Sequence, residues 1–232
     1  MSFRQTLIAL AVAAAVGAPA AAGAQDFSFT YLEGGITAGF VNDVETSGTL
    51  TGSGGPLEFE TDAGGGGFIG GAWQFSDGFH LFGDYALFGQ DLEVSDGTVT
   101  VEGDFDVVRW RIGIGYAYAL SNTTALYGRL SYDSLELRNV QVPGFSLDVD
   151  ADGDGVGGEV GVQWAATPTF HLQGHVRYTP VGEIATSGSD TLDSDILVGV
   201  NARWFFRPNV ALVTGYELGK ITTWNLGVRY AF

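Results

Sequence analysis

Strict period-two alternation of apolar side chains, turns that alternate between short and long, and aromatics gathered at strand ends together predict an all-β fold. The architecture they specify is a transmembrane antiparallel up-and-down β-barrel of ten strands, with eight as the alternative. Between Asp106 and Leu120 the even positions carry Val108, Trp110, Ile112, Ile114, Tyr116 and Tyr118, and the odd ones Arg109, Arg111, Gly113 and Gly115. Such a segment is a strand with one apolar face and one polar or tiny face. A soluble sandwich would alternate in the same way. Short turns on one rim and long loops on the other, with aromatics in two bands a strand-length apart, point instead to a bilayer.

The strands are expected at 29–42, 62–75, 79–91, 104–120, 124–138, 155–166, 170–181, 195–206, 210–218 and 222–232. The first alternates through Leu32, Ile36, Ala38 and Phe40. The second holds four consecutive glycines, Gly64 to Gly67, read as a bulge or as the floor beneath a bulky neighbour. Ser76–Gly78, Ser121–Thr123, Thr167–Thr169 and Arg207–Asn209 make the short turns. Long loops are expected over 43–61, 92–103, 139–154 and 182–194, with a fifth, short turn at Gly219–Ile221. Trp73, Phe75, Phe79, Tyr118, Trp164, Phe170, Trp204 and Phe206 crowd the short-turn end, while Trp110 and Trp224 lie toward the other.

A three-residue hairpin loop sets residues of equal parity opposite one another. That register opposes Trp73 to Leu81, Ile69 to Tyr85, Ile114 to Leu130 and Val160 to Val176, all on the apolar face. On the other face it opposes Arg111 to Asp133 and Glu159 to Arg177, two expected ion pairs. The inward parity collects Arg109, Arg111, Arg129, Arg177, Arg203 and Arg229 with Glu33, Asp84, Asp133, Glu159 and Glu217. These form the expected luminal charge network, because charges facing lipid would cost about 2–4 kcal/mol each at mid-membrane.

Composition agrees. Glycine supplies 36 of 232 residues, roughly double the usual ~7%. The formal net charge of −17 excludes nucleic acid as a partner, and the absence of cysteine excludes disulfides and thiolate metal sites. Residues 1–24 have the form of a cleaved signal peptide: Arg4, an apolar run from Leu7 to Val16, and the small-residue pattern Ala22-Gly23-Ala24. The barrel domain is then 25–232.

The signal segment, the alternating strands and the terminal aromatic Phe232 resemble those of small bacterial outer-membrane β-barrels, the porin-like opacity-protein and OmpA-barrel-like group. The resemblance covers the whole mature chain and implies a location in the cell outer membrane of a Gram-negative envelope, with both termini periplasmic. It also implies outer-membrane lipid, lipopolysaccharide and the barrel assembly machinery as partners, and a monomeric state. The expected role is structural or interactive, with a narrow cation-preferring pore or a surface adhesin as alternatives. The pore reading rests on 19 of the 27 acids lying in or beside the long loops.

One motif matches a calcium loop: Asp148, Asp150, Asp152, Gly153 and Asp154, with Glu159 at the twelfth position. Its flanks are strand-like and Pro143 blocks a helix, so an acidic solvated loop is preferred and no metal or other cofactor is expected. His80, His171 and His175 fall on inward parity, and a four-residue spacing on a strand separates His171 from His175 by roughly 13 Å. Outer-membrane proteases of the omptin type place a histidine at the long-loop rim, and lipid A deacylases use a His-x-Ser. This chain has neither arrangement, so no enzymatic activity is expected.

Overall fold

The computed structural model describes residue 27 and residues 29–41, 58–95, 100–141, 151–184 and 192–232. Eleven strands occur: β1 (Tyr31–Val41), β2 (Glu58–Thr61), β3 (Gly64–Gln74), β4 (Phe79–Ser95), β5 (Thr100–Ser121), β6 (Thr124–Gln141), β7 (Ala151–Thr167), β8 (Phe170–Ile184), β9 (Leu192–Arg207), β10 (Val210–Leu218) and β11 (Ile221–Ala231). Ten of them close into a barrel, each antiparallel to both neighbours, and β1 completes the ring by pairing with β3 on one side and β11 on the other. Closure removes every free edge in the membrane, where an unpaired backbone group has no water to bond. The signal-peptide segment lies outside the described residues.

All six predicted cross-strand pairs are present as Cα partners. The register follows from the turns. Gly78 adopts φ +80°, and a Cβ there would come within 2.5 Å of the Ala117 carbonyl oxygen, so the tight Ser76–Gly78 turn requires glycine. Of the two readings of the glycine run, the bulge is the one that holds. Thr61 pairs with Leu92 and Gly66 with Phe88, so five residue steps on one strand face four on the other, a bulge that separates β2 from β3. The buried Phe88 ring also lies over Gly39, where a Cβ would overlap it.

The loops are shorter than the sequence suggests. β4 runs on to Ser95 and β5 begins at Thr100, so most of the expected 92–103 loop is paired strand. In the same way β6 reaches Gln141, β7 starts at Ala151, β8 reaches Ile184 and β9 starts at Leu192. The physical reason is an inversion of polarity. Along β5 the outward residues are apolar from Leu120 up to Ile112, the last 61% exposed. Beyond Trp110 the outward parity carries Val108, itself buried, and then Asp106, Asp104 and Glu102, while Val107 and Phe105 are buried inside. β6 repeats the switch, with exposed Leu130 and Tyr132 below and buried Leu135 and Leu137 above. Where the wall leaves lipid for water, the outside turns polar and the inside apolar. Trp110 to Leu120 spans eleven residues, matching the ~9–11 that cross a bilayer as a tilted strand.

Two tiers of side chains therefore line the lumen. At the long-loop end Val41, Phe88, Phe105, Val107, Leu135, Leu137, Val181 and Ile221 form an apolar cluster, with Leu192 packed against it. Within the membrane-spanning part the inward side chains are mostly charged or polar, with a smaller buried cluster of Tyr31, Ala72 and Phe82 among them. The sequence reading anticipated the polar tier and missed the apolar one.

Candidate functional site

Every inward charge predicted from parity points into the lumen, and side-chain length and glycine decide which charges meet. Glu159, 4% exposed, lies between two guanidiniums: Arg111 Nη1 is 2.8 Å from its Oε2 and Arg129 Nη1 3.4 Å from its Oε1. Arg111 also donates through Nε to Asp84 at 2.6 Å. Glu217 is the second hub, with Arg177 Nη2 at 2.6 Å, His175 Nε2 at 3.1 Å and Arg109 Nη1 at 3.5 Å. Arg109 extends from β5 and Glu217 from β10, strands five places apart in a ring of ten, so this pair crosses the bore. Arg229 holds Glu33 through Nε at 2.6 Å and stacks over the Tyr31 ring at 3.5 Å. Arg203 donates to the Gln173 side-chain oxygen.

The sequence-derived ion pairs need correction. Glu159 and Arg177 are neighbours in register, as are Arg111 and Asp133, yet neither pair forms the expected bridge. Arg177 turns to Glu217 and, at 3.8 Å, to Asp133, while Glu159 takes Arg111 and Arg129. A guanidinium stands several bonds from its Cα and is not confined to the adjacent strand, provided nothing stands between. Inward glycines clear the path. His175, Gly199 and Glu217 are consecutive partners across β8, β9 and β10, and the imidazole crosses the bare Gly199 backbone. His80, Gly115 and Arg129 repeat the device across β4, β5 and β6, ending in a 3.2 Å contact from Arg129 Nε to His80 Nε2. Asp133 leans over Gly157, where a Cβ would sit 2.5 Å from Oδ2, to reach Arg177. These crossings account for part of the glycine excess.

Histidine roles follow from the same geometry. His80 is fully buried and stacks on Phe29 with centroids 4.3 Å apart; His171 packs on Phe205 at 4.9 Å. His175 joins the Glu217 hub, a role that parity alone did not reveal. Among the described residues no group of three or more His, Asp or Glu is arranged to hold a metal ion. The calcium-loop reading meets a further obstacle: Glu159 faces the lumen, whereas Asp152 and Asp154 are exposed on the opposite face of β7. Asp148 and Asp150 lie outside the described residues.

Two small cavities lie among the charges in the middle of the polar tier. A cavity of about 120 Å³ borders Asp84, Arg111, Glu159, His175 and Glu217, and one of about 30 Å³ borders Asp133 and Arg177. The smaller has room for about one water molecule. It borders Asp133, whose two carboxylate oxygens have no hydrogen-bond partner among the described residues, and Arg177, whose Nε also lacks one there.

The sequence matches the profile of a family described as "Outer membrane protein beta-barrel domain" over residues 8–232. No curated protein matches it. Among solved structures, the outer membrane protein OprG from Pseudomonas aeruginosa superposes with a TM-score of 0.54 at 16% identity, covering 87% of this chain and 94% of that one. The translocator domain of the autotransporter NalP from Neisseria meningitidis gives a TM-score of 0.49 at 12% identity, covering 99% and 95%. At 16% identity the likeness to OprG is one of fold.

Proposed function

The chain belongs to the outer membrane protein β-barrel domain family, and from that premise we propose that it is a closed, non-enzymatic barrel whose lumen is sealed and whose work is done at its surfaces. The observation that carries this reading is that two sets of side chains reach into the bore from its wall. The Arg109–Glu217 pair spans the polar tier, and the apolar cluster around Phe88, Val107 and Leu135 blocks the tier above. A ten-strand bore is narrow beside the 16–18 strands of open porins, so side chains suffice to fill it. In this reading both termini face the periplasm, and the polar extension of β4 to β9 stands in the medium, presenting Glu93, Glu102, Asp104, Asp152, Asp154 and Asp193. That acidic collar suits a structural or interaction role, including divalent-cation bridges to lipopolysaccharide.

The chain's lack of cysteine gives a direct test. In intact cells a membrane-impermeant maleimide should label Asp152→Cys readily and Asn201→Cys, which borders the larger luminal cavity, only after unfolding. Equal labelling rates for the two in the folded protein would contradict the sealed lumen. The collar's acidity is also the observation that favours a second reading, a cation-preferring pore. Against it, the eleven inward charges named above comprise six arginines and five acids, a surplus of one positive charge.

A further inference from the structure

Five of the six inward arginines have a carboxylate partner. Arg109 and Arg177 share Glu217, Arg111 and Arg129 share Glu159, and Arg229 has Glu33. Arg203 is the sixth. It is 7% exposed, and its partner is the neutral side-chain oxygen of Gln173, whose Nε2 is committed to the Tyr127 hydroxyl at 2.6 Å. Among the described residues no carboxylate pairs with it. The single positive surplus of the lumen is therefore localised at Arg203, and a buried charge without a counter-charge is a costly arrangement.

The site is open on one side. Arg203 borders a cavity of about 530 Å³ at the short-turn mouth of the barrel, together with His171, Arg207, Arg229, Gln163 and Phe205. Arg207 is exposed at the rim beside the Pro208 turn, and no Asp or Glu appears among the described lining residues. The Arg229 guanidinium is occupied by Glu33 and Tyr31. That leaves Arg203 at the inner end and Arg207 at the rim as two guanidiniums without a carboxylate among the described residues, facing a cavity with room for a small solute.

We propose that this mouth is a binding site for a small oxyanion, a carboxylate or phosphate group, held by Arg203 with Arg207 as the outer contact. A guanidinium is a planar fork of N–H donors that matches two oxygens of such a group at once. The anion supplies from solution the counter-charge that the described residues do not. The acidic collar lies at the other end of the barrel, so anions meet this site from the short-turn side. The proposal is independent of whether the lumen conducts, since a mouth site is compatible with a sealed or an open bore.

Isothermal titration calorimetry on the folded barrel in detergent tests it, with sodium phosphate and sodium succinate titrated separately at ionic strength matched by sodium chloride. Saturable binding of at least one anion at one site per chain is expected, and the preferred one distinguishes a phosphoryl from a carboxylate ligand. Gln173→Glu is the informative variant, because it gives Arg203 an internal carboxylate; the Nε2 that donates to the Tyr127 hydroxyl is replaced by an oxygen able to accept from it. The variant should keep the heat-modifiable gel mobility of the folded barrel and lose at least tenfold in affinity. Arg207→Met should weaken binding several-fold, and Asp104→Asn, at the far end, should leave it unchanged. No saturable binding of either anion, or wild-type affinity in a folded Gln173→Glu variant, would overturn the proposal.

Discussion

Replacing Glu159 by glutamine removes the one charge shared by Arg111 and Arg129 while conserving shape. Breaking a buried ion pair from one side typically costs about 3–5 kcal/mol, because the remaining charge is left uncompensated. Here two arginines lose their shared partner, but neither is stranded. Arg111 keeps Asp84 at 2.6 Å, and Arg129 keeps the Phe82 face at 4.6 Å and the Tyr127 face at 5.1 Å. The neighbouring 120 Å³ cavity can admit water. The loss should therefore fall near the low end, about 3 kcal/mol. Urea unfolding in detergent micelles, followed by the heat-modifiable shift on gels, measures it. The second substitution decides between networks. Arg129→Met in the Glu159→Gln background should recover part of the loss, whereas Arg177→Met should add its own cost, because Arg177 pairs with Glu217 and Asp133. Rescue by Arg177→Met and not by Arg129→Met would refute the assigned partners. The result should be the same in calcium and in chelator, since Glu159 faces the lumen and Asp152 and Asp154 face outward.

Three further outcomes follow from the same geometry. Gly199→Ala should destabilise by about 1–3 kcal/mol through overpacking against the His175 ring, whereas Gly174→Ala, with nothing within 4 Å of its Cβ, should change the unfolding midpoint little. Val160→Arg, at an outward site 65% exposed, should cost about 2–4 kcal/mol in the same unfolding assay. Asp152→Arg, eight residues further along β7 and beyond the polarity switch, should be close to neutral there, and equal costs at the two sites would remove the assigned water boundary. Arg229→Met should destabilise the barrel by leaving Glu33 unpaired, and Glu33→Gln in that background should restore part of the loss; additive costs would contradict the pairing seen at 2.5 and 2.6 Å.

Strand existence, pairing and face were legible because the apolar side chains that must meet lipid leave a period-two record. Hairpins of odd loop length then carry that record from strand to strand, as the Trp73–Leu81 and Val160–Val176 pairs show. The same record ends where lipid ends. Beyond Trp110 the outward face needs no apolar residue, so paired strand such as Thr100–Gly103 reads as a loop. The inward cluster of Phe105, Val107, Leu135 and Leu137 went unread for the same reason, since its parity was assigned to a polar lumen. In the charge network, parity placed the arginines and acids on the right side of the wall but did not choose their partners. That choice depends on which intervening positions are glycine, as at Gly157 and Gly199, and on reach across a closed bore, as from Arg109 to Glu217. Alternation is a property of single strands, and neither of those is.

The sealed lumen is the centre of this account, and single-channel recording of the wild-type barrel in a planar bilayer tests it most directly. With the bore spanned by Arg109–Glu217 and blocked above by the Phe88 and Val107 cluster, the expected record is a flat baseline without steady conductance steps. Large, stable steps from the purified, folded protein would contradict it.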